Sequence, residues 1–308
     1  MHQIRALDPS GRSGAFFTAR ITDAYRRESK KERHRLRTLT ASRRASPRRQ
    51  TPVSPLLAIA ASIAFLYFFL PLAAVFVKLP PTVLLEHLRS PEAFTALALS
   101  LRTTGVSLVA SIVLGVPLAY WLSRSRTRYA RLVETLMQMP VVVPPAVAGV
   151  GLLLIFGRSG LLGPALGAAG VTIPFTWVAV VLAQIFTGAP FFVVSAKQAF
   201  DNVDPDLTSV ARTLGSTPRE AFARITLPLA ASGLLGGAAL CWARSLGEFG
   251  ATIVFAGNYP GITQTLPLAI YTALDSSFDL AVAMSALLLV VAFAILLAVR
   301  LVGRRVEA

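Results

Sequence analysis

Long apolar runs separated by short polar connections dominate the chain from residue 56 onward. A helix needs about 20 mostly apolar residues to cross the hydrocarbon core of a bilayer. None of the runs alternates apolar and polar positions as the strands of a transmembrane barrel do. The pattern therefore predicts an all-α integral membrane protein with six transmembrane helices. The predicted spans are residues 56–78, 99–123, 134–156, 175–198, 228–255 and 279–301.

Proline residues interrupt four of these spans. Each one removes a helix hydrogen bond and clashes with the preceding turn, which membrane helices tolerate where protein or a water-filled cavity satisfies the freed backbone. A packing kink is the alternative explanation for any single proline. Three of them crowd into the third span, and this concentration predicts a broken helix beside a pathway, with Pro144 and Pro145 as candidate gate residues. The six are Pro71, Pro117, Pro140, Pro144, Pro145 and Pro190.

Charge is distributed as in a membrane protein. Only 15% of the residues are charged and the mean hydropathy is +0.63, against about 25% charged residues in soluble domains. Connections that are strongly and weakly basic alternate along the chain, and residues 256–278 contain no Lys or Arg. The positive-inside rule then places both termini in the cytoplasm. The formal net charge of +15 is therefore interpreted as topology, with membrane lipid and not nucleic acid as the partner.

The first 50 residues form a separate region, with fourteen Lys or Arg and four acidic residues. We expect residues 1–52 to be a basic, disordered cytoplasmic tail or an over-extended reading frame, and residues 53–303 to be the transmembrane domain. Phe17, Ile21 and Ala24 lie at helical spacing among the basic residues, which leaves a tail that binds acidic lipid or nucleic acid as an alternative.

Enzyme chemistry has little support in the sequence. The one cysteine, Cys241, lies in an apolar run and cannot form an intrachain disulfide or a cysteine-based zinc site. A phosphate-binding loop needs a Gly-rich turn followed by Lys and Ser or Thr, and none of the four lysines stands in such a turn. We therefore predict no catalytic residue, metal or cofactor on this chain, and any ATP that drives it would bind a separate polypeptide.

The connection at residues 201–228 predicts two short amphipathic helices. Asp204 is a good N-cap and Pro205 suits the first helical position. Gly215 is a typical helix stop. The positions at i, i+3, i+4 and i+7 that form one apolar stripe are Leu207, Val210, Ala211 and Leu214.

A second helix is predicted directly after the glycine. Thr217 and Glu220 have the spacing of a capping box, with Pro218 between them at the first helical position. Its apolar face is Ala221, Phe222 and Ile225, and Pro228 is expected to open the fifth span. Two interpretations remain: a helix pair lying on the membrane surface, or a rigid knob that docks on a partner.

The spacing of this loop resembles the signature of ABC importer permeases, commonly written EAA-x3-G-x9-I-x-LP. The family pattern covers about residues 95–302, and it departs here at Ser209 and Val210, which replace Glu and Ala. The resemblance implies a type I importer permease fold in which this loop is the coupling helix held by the ATP-binding subunit. The residues it assigns to that loop are Ala211, Leu214, Gly215, Pro218, Glu220, Ile225, Leu227 and Pro228.

Residues 243–271 closely resemble the matching segment of molybdate permeases, with sulfate and tungstate permeases nearby. Arg244 and Glu248 are charged residues inside a predicted span, four apart, so they share a helix face. They either neutralise each other or line the anion pathway. Gly247 and Gly250 flank the glutamate and permit either close helix approach or local unwinding.

The resemblance further implies an importer that moves molybdate by alternating access. Its implied partners are an ATP-binding subunit that carries ATP and Mg²⁺, an extracytoplasmic oxyanion-binding protein, and a second copy of this chain in a homodimer. A secondary carrier or channel is the rival from another class, but it would usually show more ionisable residues in its spans and inverted repeats.

Overall fold

A computed structural model describes residues 54–307. The predicted basic tail at residues 1–52 lies outside this range. The chain divides into two units between Leu66 and Tyr67, and every site discussed below belongs to the second unit. Within the described range the secondary structure is entirely helical, as the apolar runs predict.

Thirteen α-helices and one π-helical turn follow one another along the described residues. In the first half of the chain these are α1 Pro55–Val77, α2 Pro81–Leu88, α3 Pro91–Arg124, α4 Arg128–Val142, α5 Pro145–Phe156 and α6 Gly163–Ala168. In the second half they are α7 Trp177–Asp201, α8 Pro205–Thr213, α9 Pro218–Ala221, the π turn Phe222–Thr226, α10 Leu227–Leu246, α11 Gly250–Phe255, α12 Leu266–Ser276 and α13 Phe278–Glu307.

Five helical stretches within residues 54–307 are long and apolar enough to cross a membrane, and a bent pair supplies a sixth. The bent pair is α4 and α5, whose axes differ by 117°. The broken helix predicted in the third span is therefore confirmed, with its break at Val143 and Pro144. The six predicted spans all have a helical counterpart.

The predicted bounds of the fifth span are wrong at both ends. Its helix already begins at Pro218 and stops at Leu246. The last six residues of the predicted span form α11, a separate short helix. Hydropathy could not show this interruption, because residues 247–249 join two apolar stretches without any long polar gap.

Three helices, α3, α7 and α10, pack against one another and form the centre of the second unit. Their shared core contains small side chains between two phenylalanines, Phe192 and Phe200. A Cβ atom added to Gly188 of α7 would lie 3.0 Å from the carbonyl oxygen of Cys241 in α10 and would collide with the Ser245 hydroxyl. These two helices therefore approach at backbone distance, as small residues allow in membrane bundles.

A seam of buried hydroxyl groups runs along α3 where it faces α7 and α10. The Gln184 amide donates to the Thr103 hydroxyl at 3.1 Å, and Ser245 donates to the Gln184 carbonyl at 3.2 Å. Ser107 completes the connection by donating to Ser245 at 3.4 Å. Uncharged polar groups thus link three spans inside the bundle. The buried hydroxyl residues of α3 are Ser100, Thr103, Thr104, Ser107 and Ser111.

Candidate functional site

The first helix of the predicted knob forms as its sequence indicates. The Asp204 carboxylate accepts a hydrogen bond from the Asp206 N–H at 2.9 Å, and Pro205 is the first helical residue. This bond satisfies one of the free N–H groups at the start of the helix. The cap fixes where α8 leaves the end of α7, whose last residue is Asp201.

Gly215 ends α8 with the predicted turn. Its φ angle is +95°, in the region that side chains other than glycine avoid. The Ser216 N–H donates to the Ala211 carbonyl at 3.0 Å and the Gly215 N–H donates to the Arg212 carbonyl at 3.1 Å. This bond pair is a Schellman motif. It ends α8 with Gly215 two residues before the N-cap of α9, and thereby sets the angle at which the two helices meet.

The capping box is also confirmed. The Thr217 N–H donates to the Glu220 carboxylate at 2.8 Å, and the Glu220 N–H donates back to the Thr217 hydroxyl at 3.3 Å. Pro218 occupies the first helical position between them. Since each end of the box satisfies the other, the start of the second helix is well defined even though it is exposed.

The second helix of the knob is continuous with a transmembrane span, contrary to the sequence-based expectation that it ends before Pro228. The π turn Phe222–Thr226 joins α9 directly to α10, and the Leu227 N–H bonds to the Phe222 carbonyl. Proline at position 228 lacks an N–H and its ring crowds the carbonyl four residues back. The wider π turn directly before it accommodates both effects, so the chain passes Pro228 without a break.

An aromatic cluster fastens this turn to the bundle. The Phe222 ring lies 4.7 Å from the Tyr120 ring of α3 and 6.0 Å from the Phe200 ring of α7, measured between ring centres. Ala221 and Thr226 beside it are buried. Sequence analysis missed Tyr120 and Phe200, since neither belongs to a motif and Tyr120 lies about eighty positions before the loop. The knob is thus attached to α3, α7 and α10 together.

Most of the predicted apolar stripe on α8 faces outward. Ala211 is buried, but Leu207, Val210 and Leu214 have exposed fractions of 47%, 57% and 82%. The other residues assigned to the loop divide in the same way: Ile225 and Leu227 are half-buried, whereas Pro218, Glu220 and Pro228 are exposed. The loop therefore presents an apolar ridge, consisting of Leu207, Val210 and Leu214, that residues 54–307 leave uncovered.

The two charged residues predicted in the fifth span form an ion pair. The Arg244 Nη1 atom lies 2.8 Å from the Glu248 Oε2 atom. Glu248 is 1% exposed, and its other carboxylate oxygen accepts a hydrogen bond from the Ala251 N–H at 2.8 Å. The Arg244 side chain remains 32% exposed. The pair links the end of α10 to the start of α11 across the break between them.

The two glycines flanking Glu248 have different roles. Gly247 follows the last residue of α10, so local unwinding occurs there. Gly250 opens α11, and a Cβ atom added to it would lie 2.6 Å from the Cβ atom of Pro145. The sequence left unwinding and close approach as alternatives, and the structure shows one at each glycine.

The two interrupted spans therefore meet at their interruptions. Pro144 caps α5 and Pro145 is its first residue, and α11 packs along this short helix. Ala148, Leu152, Ala251 and Phe255 share one buried cluster there. All six candidate pathway residues predicted from the sequence lie at or beside these two breaks: Pro144, Pro145, Arg244, Gly247, Glu248 and Gly250.

Comparison with known proteins connects this architecture to transport. Residues 111–308 match the family described as "Binding-protein-dependent transport system inner membrane component". The chain is 45% identical over 230 residues to the molybdenum transport system permease protein ModB of Mycobacterium tuberculosis, covering 75% of this chain and 87% of the relative. The corresponding protein of Escherichia coli K12 is 39% identical over 190 residues, covering 61% of this chain and 82% of the relative.

Solved structures show the same fold at low sequence identity. A chain of a bacterial ABC transporter that imports the acidic polysaccharide alginate aligns with a TM-score of 0.67 and 18% identity, covering 82% of this chain and 95% of the other. The alginate transporter in complex with a pentasaccharide-bound periplasmic protein aligns with a TM-score of 0.60 and 18% identity, over 82% and 92% of the two chains. At this identity the likeness concerns the fold alone.

We predict that the ion pair is needed for folding stability. Arg244→Gln leaves the buried Glu248 carboxylate without its cationic partner, and breaking such a pair costs about 3 kcal/mol of unfolding free energy. Replacing both residues, Arg244→Gln with Glu248→Gln, removes the buried charge and should recover most of that loss. Thermal unfolding of the purified transporter in detergent measures both effects. A single variant as stable as the parent would contradict the prediction.

Proposed function

Because the chain belongs to the family of inner-membrane components of binding-protein-dependent transport systems, we propose that it is the membrane-spanning subunit of an ATP-driven importer that carries molybdate. The observation that supports this cargo most directly is the 45% identity to molybdenum permeases over three-quarters of the chain. The segment at residues 243–271, which contains the ion pair, lies within the family match. The protein is thus a multi-pass inner-membrane protein.

The proposed energy source is ATP bound to a separate subunit. None of the lysines of this chain stands in a phosphate-binding loop, so the force from ATP hydrolysis would enter through contact with another protein. The apolar ridge Leu207, Val210 and Leu214 supplies the contact surface. It belongs to a loop that is joined rigidly to the spans by the Schellman motif, the capping box and the aromatic cluster. A displacement of the ridge is therefore passed on to α7 and α10 instead of being absorbed locally.

The orientation we propose follows from charge. The loop at residues 201–228 and both chain termini lie in the cytoplasm, and the connection at residues 256–278 lies outside, because basic residues concentrate in the cytoplasmic connections. In this orientation the ridge faces the cytoplasm, where ATP is available. An extracytoplasmic binding protein would deliver the anion to the opposite face. A homodimer is the simplest assembly for a chain with six spans and no internal duplication.

The break region is the proposed place where the pathway opens and closes. The Glu248 carboxylate is buried and already bonded to Arg244 and to the Ala251 N–H, whereas the Arg244 guanidinium is partly exposed. A passing oxyanion would therefore meet the cationic member of the pair and not the carboxylate. Because Arg244 is neutralised on its other side, its attraction for the anion is limited, and an anion that must move on is not held tightly.

A charge test distinguishes this pathway role from the role of the ion pair in folding stability. Arg244→Lys keeps the cation and the ion pair, so uptake should stay within a few-fold of the parent. The uncharged pair Arg244→Gln with Glu248→Gln should fold but lose most of its uptake, because no cation faces the anion. Initial uptake rates normalised to assembled transporter make the comparison. Equal uptake by the uncharged pair and the parent would limit the pair to a structural role.

ATP-dependent uptake into vesicles that contain this chain, its ATPase and its binding protein tests the function itself. Radiolabelled molybdate should accumulate inside, excess tungstate should compete, and excess sulfate should not. Competition by sulfate would assign the chain to the sulfate permeases and leave the coupling scheme intact. Accumulation without the ATPase would contradict ATP-driven transport and favour a secondary carrier.

The ridge makes a sharper prediction about coupling. Val210→Asp places a charge in the centre of the apolar ridge. The complex then loses one buried aliphatic contact and must desolvate a carboxylate, so ATPase binding should weaken at least tenfold. The matched control is Thr208→Asp, which adds the same charge to α8 away from the ridge. Co-purification of the ATPase and ATP-driven uptake give the two measurements. Parent-like uptake by Val210→Asp would exclude the ridge as the docking surface.

A further inference from the structure

A cavity of about 390 Å³ lies between α3, α12, α13 and the loop that precedes α12. Its lining includes Glu92 and Thr95 from the first turns of α3 and Thr272, Ala269 and Ala273 from α12, with Met284 of α13. We call it the outer cavity, because the proposed topology places this end of the helices on the extracytoplasmic side. Its volume is within the range of ligand-binding pockets.

The outer cavity has a polar rim and an apolar floor. Glu92, Thr95 and Thr272 at the rim are exposed. Ala269, Ala273 and Met284 at the floor are buried. A bound group that fits this arrangement has an aliphatic part to cover the floor and a polar or charged end that stays at the rim. Lys and Arg side chains have this construction, a methylene stem with a cationic head.

The wall on the loop side is held in place before anything binds. The Asn258 amide donates to the Thr272 hydroxyl at 2.8 Å, and the Tyr259 carbonyl accepts three backbone bonds from residues 262–264. The N–H of Leu266, the first residue of α12, donates to the buried Ser100 hydroxyl of α3 at 2.7 Å. A preformed cavity binds without the cost of ordering its walls.

The charge at the outer cavity selects the sign of its occupant. Among the residues that the structure describes, Glu92 is the only charged one that lines it, and no Lys or Arg occurs in the neighbouring stretch 256–278. Asp275 and Asp279, which directly precede lining positions of α12 and α13, are also exposed acids, against one exposed base near Glu92 in sequence, Arg89. An oxyanion is repelled by this surface, whereas a cationic side chain is attracted to it. The cavity is therefore unsuited to the proposed cargo.

We propose that the outer cavity receives a Lys- or Arg-bearing segment of the extracytoplasmic binding protein, with the stem on Ala269 and Ala273 and the cation at Glu92. This inference rests on the proposed function, which supplies such a protein on this face of the membrane. It adds the residues on this chain that hold the partner and the sign of the charge that the partner contributes. The binding protein is thus held at a site that repels its anionic cargo. The docking segment and the released anion therefore do not compete for the same site.

Binding of the purified, molybdate-loaded binding protein to the complete transporter in nanodiscs tests the proposal. Glu92→Gln should weaken binding about fivefold and flatten its dependence on salt, and Glu92→Lys should weaken it more than tenfold. The matched control Glu86→Gln removes the same charge from an exposed position on α2 that does not line the cavity, and it should bind like the parent. Equal weakening by both glutamine variants would mean general surface charge and would overturn the proposal.

A second variant tests the cavity by shape and not by charge. Thr95→Trp fills the outer cavity from its rim and should abolish stimulation of ATP hydrolysis by the binding protein, while hydrolysis without that protein stays unchanged. Undiminished stimulation would overturn the proposal. If the parent transporter itself neither binds nor responds to the binding protein, the proposed function fails. If the parent binds and responds normally and the Glu92 and Thr95 variants do the same, only docking in the outer cavity is refuted.

The contact can also be identified directly. Cys241 is the one cysteine of the chain and is buried, so Ser276→Cys, at an exposed lining position that leaves Glu92 in place, provides a single accessible thiol for a photoreactive maleimide. Crosslinking to the bound partner followed by peptide mapping should recover a segment that contains Lys or Arg. Recovery of a segment without either residue would contradict the proposed occupant.

Discussion

Inside a bilayer, a helix that stops must find partners for the backbone groups that it exposes, and α10 stops at Leu246 within the predicted fifth span. The Glu248 carboxylate meets part of this requirement by accepting a hydrogen bond from the Ala251 N–H of α11, and it also bonds to the Arg244 side chain of α10. This one side chain therefore ties the two helix ends together across the break. The packing of Gly250 on Pro145 then brings the break of the third span to the same place.

This arrangement joins two regions with different mechanical character. The knob at residues 201–228 is stiff, because backbone caps and an aromatic cluster define every turn of it. The breaks are held by one ion pair and by the buried cluster that contains Ala148, Leu152, Ala251 and Phe255. Between them run α7 and α10, linked to α3 by hydrogen bonds between buried uncharged polar groups. The proposed coupling thus has a rigid input, a closely packed bundle and a region where the helices are already interrupted.

Features determined by neighbouring residues could be predicted from the sequence. The Asp204 cap, the Gly215 turn and the Thr217–Glu220 box each depend on side chains within four positions, and all three are present. The break after Val143 was also predictable, because proline acts on its own turn. The span count followed from the length of the apolar runs.

Features determined by tertiary contact could not be predicted in this way. The helix passes Pro228 without a break because of the π turn before it. In that turn, Phe222 contacts Tyr120 and Phe200. The close packing of α11 on α5 is likewise a tertiary contact, because Gly250 meets Pro145 about a hundred positions earlier in the chain. The hydroxyl seam on α3 did leave a signal, since Ser100, Thr103, Ser107 and Ser111 recur at helical spacing, but an apolar average over the span conceals it.

The π turn has a consequence for how this loop tolerates change in length. Each residue of an α-helix rotates the chain by about 100° about the helix axis. The direction of the knob relative to α10 is therefore set by the number of residues between Ala221 and Leu227. Adding or removing one residue there would swing the ridge by more than a quarter of a circle. Adding seven would return it to within about 20° of its original direction, although displaced along the axis. The number of residues in this segment therefore determines the direction in which the ridge points.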